Sequence, residues 1–132
     1  KAINELIESR NLGNSLSIVE NTSVNDLVDI YNQSTVFVLP SQHEGFCIPL
    51  VVAMSLGLPT VAIAQSAVPD TVGSAGLLFD EPEYVDLAHG VELIHQDNDL
   101  RERLVESGKL RAAHFDPKKS VQDYASYIKE LL

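Results

Sequence analysis

The sequence predicts an α/β fold: a parallel sheet of about four strands flanked by helices. Three observations carry that reading. Runs rich in β-branched and aromatic residues, foremost 35–39 and 60–64, have the pattern of strands covered on both faces. Between such runs, apolar residues recur every three or four positions, the period of a helix packed along one side. Pro40, Gly57 and Pro59 punctuate the junctions. Strands alternating with helices in this way give a parallel sheet with right-handed crossovers.

Each element has its own justification. Residues 2–10 carry Ile3, Leu6 and Ile7 at helical spacing, with Gly13 as the expected C-cap. Residues 16–20 are expected to form a short strand. Ser23 is the expected N-cap of a helix with Val24, Leu27, Val28 and Tyr31 on one face. Strand 35–39 follows and Pro40 stops it. Pro49 suits the first position of a helix over 49–56, where its missing N–H costs nothing. That helix is apolar almost all round and should be buried. Gly57 suits the left-handed residue that closes it, and Pro59 prevents its continuation into strand 60–64. Residues 68–72 read as a turn or one helical turn, and 77–79 as a short strand ended by Asp80-Glu81-Pro82. Tyr84, Leu87, Ala88, Val91 and Ile94 mark an amphipathic helix. Asp99 is the expected cap of another, to about residue 107. Pro117 opens the last, with Val121, Tyr124, Ala125, Ile128 and Leu132 on one face.

The corner after strand 35–39 is a candidate anion site. The helix start near Ile48 presents unpaired backbone N–H groups and the positive end of a helix dipole. It lies at the C-terminal edge of a parallel sheet, where open α/β folds place ligands.

Composition bounds the rest. With 45% apolar and 21% charged residues, the 132-residue chain has the make-up of one soluble globular domain. One cysteine excludes an internal disulfide. No run approaches a membrane span, and no secretory or transit segment is visible. A net charge of −10 argues against nucleic acid and against an anionic membrane surface as partners. Between Arg10 and Arg101 there is no Lys or Arg, so the anion site brings no cation from its own segment. His43, His89, His95 and His114 lack the spacing of a zinc site, and no metal is expected.

The residues of that corner add a resemblance. Leu39-Pro40-Ser41-Gln42-His43-Glu44-Gly45-Phe46-Cys47-Ile48-Pro49-Leu50, continued by Ala53-Met54-Ser55-Leu56-Gly57-Leu58-Pro59-Thr60, resembles the donor-binding signature of the retaining GT-B glycosyltransferases of group 1, family 4-like. The likeness runs on through Val68-Pro69-Asp70-Thr71-Val72 and Gly76-Leu77-Leu78-Phe79-Asp80 to the Asp99–Leu104 segment and the final helix. It implies a partial GT-B C-terminal domain, Rossmann-like, with residues 1–132 as a single nucleotide-sugar-binding domain that lacks the N-terminal acceptor domain.

The resemblance implies roles residue by residue. Glu44 matches the first Glu of the family's Glu-x7-Glu motif, the catalytic-site carboxylate that holds hydroxyls of the donor sugar. A carboxylate accepts two such bonds at once. Backbone amides of Gly45, Phe46, Cys47, Ile48 and Leu50 match those that hold sugar and diphosphate. His43, beside Glu44, reads either as a donor-binding residue that touches a phosphate or sugar oxygen or as an exposed loop histidine. Two positions depart from the pattern: Cys47 stands where the family has Gly, and Val52 stands where the second Glu belongs. A Glu at 52 would reach the nucleotide ribose, whereas Val accepts no hydrogen bond. Ser66 and Asp70 read first as capping residues.

The expected function is therefore part of a glycosyltransferase that moves a sugar from a nucleotide-diphosphate sugar to an acceptor with retention. The acceptor (glycan, lipid or small molecule) is not identified by the sequence. No cofactor is implied beyond the donor substrate. The alternative is a non-catalytic GT-B-like scaffold or partner-binding module, with Val52 as its evidence. The expected location is cytoplasmic, or the cytoplasmic face of the membrane in a full-length protein. Two strands and the diphosphate-binding Arg and Lys of the family have no counterpart here. The isolated chain is therefore expected to be inactive and to self-associate through an open strand edge and bared apolar helix faces.

Overall fold

The structure, a computed structural model, describes residues 2–81, 83–116 and 118. Backbone contacts divide the chain into two compact units, Lys1–Ile30 and Tyr31–Leu132.

The first unit holds α1 (Ala2–Ser9) and most of α2 (Val24–Gln33). Helix α1 is closed by Asn11, whose φ of 54° is left-handed, and by a Leu12 amide that reaches back to Ile7 O at 2.9 Å. Gly13, the expected cap, lies two residues beyond. Asparagine takes the left-handed region more readily than most residues, which allows the earlier stop. The strand expected at 16–20 does not form: these residues pair with no strand among the described ones. Strand character is realised only against a partner, and none stands there among the described residues. Ser23 caps α2 as expected: its Oγ accepts from the Asp26 amide at 3.2 Å and donates to the Asp26 carboxylate at 2.6 Å.

The second unit is an α/β arrangement around a three-stranded parallel sheet, ordered β1 (Phe37–Leu39), β2 (Thr60–Ile63), β3 (Leu77–Phe79). Phe37 pairs with Thr60, and Val61 with Leu77. Between the strands lie α3 (Ile48–Ser55) and α4 (Val68–Val72); α5 (Tyr84–Gln96) and α6 (Asn98–Ala113) follow. Strand alternation divides the core. Ala62 packs with Cys47, Leu50, Val68 and Val72 on one face. Val61 and Ile63 pack with Leu87, Ile94 and Leu104 on the other.

Strand β2 is central and wholly buried, whereas β1 lies at the edge of the sheet with Val38 39% exposed. Residues 35–39 therefore are not covered on both faces as their composition suggests. Helix α3 begins at Ile48, so Pro49 is its second residue. It is less enclosed than expected: Leu50, Ala53 and Met54 are buried, but Ile48 is 67% exposed. Gly57 is left-handed, φ 79°, as expected. Helix α6 packs against α3 where Gly108 faces Met54; a Cβ there would sit 3.5 Å from Met54. The cap of α6 is Asp97, which accepts from the Leu100 amide at 2.8 Å, not Asp99. The expected helix opened by Pro117 lies outside the described residues.

Candidate functional site

The C-terminal end of β1 turns at Pro40 into a loop that reaches the start of α3. Cys47 is the N-cap residue, with φ 59° and ψ 69°, and caps with no side-chain hydrogen bond. That left-handed conformation costs a non-glycine residue about 1–2 kcal/mol. It accounts for the glycine that the family resemblance implies at this position. The Cys47 side chain offsets the cost by packing with Leu50, Ala62, Val68 and Val72. Burial pushes its thiol pKa up, and the adjacent Glu44 carboxylate pushes it the same way, against a bond from the Leu50 amide. A thiol so placed stays protonated and unreactive near neutral pH.

The loop brings the expected residues together at the sheet's C-terminal edge. Glu44 is half-buried, and its carbonyl accepts from the Ala67 amide at 3.4 Å, which ties the loop to the residue preceding α4. His43 is exposed, and its carbonyl accepts from Ser41 Oγ at 3.3 Å. Space beside Gly45 is open: a Cβ there would meet nothing within 4 Å. Phe46 is 44% exposed. Among the described residues, the amides of Gly45, Phe46, Cys47 and Ile48 donate to no protein acceptor. The Leu50 amide differs, since it donates to Cys47 O at 3.0 Å. Two helix starts, those of α3 and α4, thus meet at one edge of the sheet.

Val52 lies on α3 with its side chain against Tyr31, Ala53 and Leu58. Tyr31 stacks on Phe37 at 5.9 Å, and its hydroxyl donates to Pro49 O at 3.4 Å. Position 52 is thus half-buried apolar packing in this chain. Ser66 is left-handed, φ 54°, and the N-cap of α4 is Ala67, so Ser66 is not the cap. Asp70 lies in the first turn of α4, where an acid suits the dipole.

Two residues of this corner escape sequence reasoning. Thr71, 2% exposed, donates from Oγ1 to Phe46 O at 2.9 Å. Arg111 reaches from α6 to donate through Nε to Thr71 O at 3.0 Å and through Nη2 to Asp70 O. Its guanidinium lies 4.8 Å over the Phe115 ring, and Phe115 meets Phe46 edge-on at 5.0 Å. Neither residue carries a local signal, because each acts on a segment distant in sequence. Among the described residues, no group of three or more His, Cys, Asp or Glu gathers as metal ligands would. No helix there is long and apolar enough to cross a membrane.

Comparison with known proteins gives consistent results. The family described as Glycosyl transferases group 1 matches residues 1–111. O-antigen chain mannosyltransferase B of Escherichia coli is 39% identical over 92 residues, 68% of this chain and 24% of that protein. Among solved structures, sucrose-phosphate synthase from Thermosynechococcus elongatus aligns with TM-score 0.86 and 25% identity, over 98% of this chain and 33% of that one. The C-terminal domain of a glycosyl transferase group 1 family protein from Francisella tularensis aligns with TM-score 0.70 and 18% identity, over 86% of this chain and 60% of that one. The chain thus spans about a quarter of the curated relative's length.

Proposed function

Because the chain belongs to the glycosyl transferases group 1 family, we propose that it supplies the donor side of a retaining GT-B active site in a longer protein. The substrate is a nucleotide-diphosphate sugar, and the product is a glycosylated acceptor. The observation that carries this reading is the loop at the C-terminal end of β1. It sets the half-buried Glu44 beside four amides that have no protein acceptor among the described residues, at the start of α3.

Each residue has a role that its geometry supports. Glu44 is the catalytic-site carboxylate and orients the sugar by accepting hydroxyl bonds. The amides of Gly45, Phe46, Cys47 and Ile48, at a helix start, hold the diphosphate as negative charge develops on it. His43 lies on the exposed side of the same loop, within the phosphate end of the site. Leu50 contributes by packing, since its own amide is directed to Cys47 O. Catalysis in this class is positioning plus charge stabilisation. The chain supplies no Lys or Arg between Arg10 and Arg101, so the cations for the diphosphate come from elsewhere in the longer protein. The acceptor is bound outside this chain.

The test is donor binding and turnover in the full-length protein. Titration with UDP- and GDP-sugars should show binding, and Glu44→Ala should lower kcat/KM by roughly a hundred-fold. Unchanged kcat/KM in that variant refutes the assignment. The 132-residue chain alone should show no transfer and should bind nucleotide sugars only weakly. A low-micromolar dissociation constant for the isolated chain contradicts that part.

A second reading is favoured by Val52, whose apolar packing occupies the position of the family's ribose-binding Glu. It is a non-catalytic scaffold or partner-binding module. The same titration separates the two: a scaffold binds no nucleotide sugar at full length.

A further inference from the structure

We propose that Thr71, braced by Arg111, is a positioning residue that aims the Cys47 amide at the donor's diphosphate; this deepens the donor-site reading above and rests on it. The peptide between Phe46 and Cys47 is trans and planar, so its C=O and N–H point in opposite directions. Thr71 Oγ1 holds the Phe46 carbonyl at 2.9 Å, and that bond sets the direction of the Cys47 N–H, away from α4. Threonine in a helix commonly bonds its own backbone one turn back. Here the hydroxyl of a residue only 2% exposed is directed to another segment instead.

Thr71 cannot hold this position on its own helix. Helix α4 has five residues, fewer than a helix needs to be stable by itself. Arg111 supplies the support. It donates to the carbonyls of Thr71 and Asp70, which the end of α4 leaves without helical partners. Gly73, at a positive φ of 60°, ends α4 beside the guanidinium; a Cβ there would meet Arg111 Nε at 3.6 Å, ordinary van der Waals contact. Phe115 completes the circuit by lying under the guanidinium and against Phe46. The loop is thus held twice, through its Phe46 carbonyl and through its Phe46 ring.

The experiment uses the full-length protein and measures donor and acceptor steps separately. Thr71→Val keeps the shape and removes the donor; Thr71→Ser keeps the donor. Thr71→Val should raise the dissociation constant for the nucleotide-diphosphate sugar, and donor KM, about ten-fold, the effect of one misdirected amide contact. Acceptor KM should stay at the wild-type value, and Thr71→Ser should restore donor binding. Should Thr71→Val fold poorly, Arg111→Met leaves Thr71 in place and removes its support, and should weaken donor binding in the same direction. Donor binding unchanged in the folded variants overturns the positioning role while leaving the donor site intact. Wild-type protein that binds no nucleotide sugar overturns both.

Discussion

Thr60 and Gly76 meet at the start of the central strand, and their contact is testable one side chain at a time. Thr60 Oγ1 is buried and has no hydrogen-bond partner among the described residues. A Cβ on Gly76 would overlap that oxygen and lie 2.9 Å from Val72 Cγ1. Gly76→Ala should therefore destabilise by about 2 kcal/mol in chemical denaturation, as overpacking does. Thr60→Val should be neutral or stabilising by up to about 1 kcal/mol, since it removes an unpaired buried hydroxyl. Thr60→Ala should make room for the added methyl, so its combination with Gly76→Ala should cost at least ~0.5 kcal/mol less than the sum. Strict additivity would disprove the contact. At this scale, what could be read from sequence was what acts locally. Ser23 caps its own helix and Gly57 ends its own, and both were legible. Thr71 and Arg111 were not, because the residue that gives each its meaning lies 25 and 40 positions away.

The helices and strands repeat that lesson. The cap expected from sequence is Asp99, yet Asp97 and Asn98 beside it are equally good cap residue types. The choice falls to Asp97 because α5 runs to Gln96, so one residue closes α5 and opens α6. Asp97→Ala should lower stability by about 1 kcal/mol and the melting midpoint by a few degrees. Asp99→Ala keeps the cap and loses only a dipole contact, so it should cost less than half as much. Equal effects in a melting experiment would reject Asp97 as the cap. Residues 16–20 show the opposite case: an apolar run suited to a strand pairs with no strand among the described residues. Strand β1 shows a third, since its composition suits a central strand but its place is the edge. Helix ends depend on nearby residues, whereas strand position depends on partners that composition does not name.

For the whole molecule, the sequence conveyed the class of fold and the family, because a parallel α/β order and a specific motif are both written in succession along the chain. It did not convey the brace that sets the loop. Expected association belongs to this scale too. Strand β1 has an unpaired edge among the described residues, and in the first unit Ile3 is 62% and Val24 77% exposed. The isolated 132-residue chain should therefore form dimers or larger species. Size exclusion with light scattering at ~10–100 µM checks this; a clean monomer with one cooperative unfolding step refutes it. The brace has a consequence in time as well as in space. Thr71 leaves the ribosome 25 residues after Phe46, and Arg111 another 40 after that. At about 5–20 residues per second, the nascent loop after β1 exists for several seconds before the last side chain of its brace has been made. During synthesis the sheet's first two strands can pair, but the loop after β1 lacks these contacts until the chain has passed Phe115.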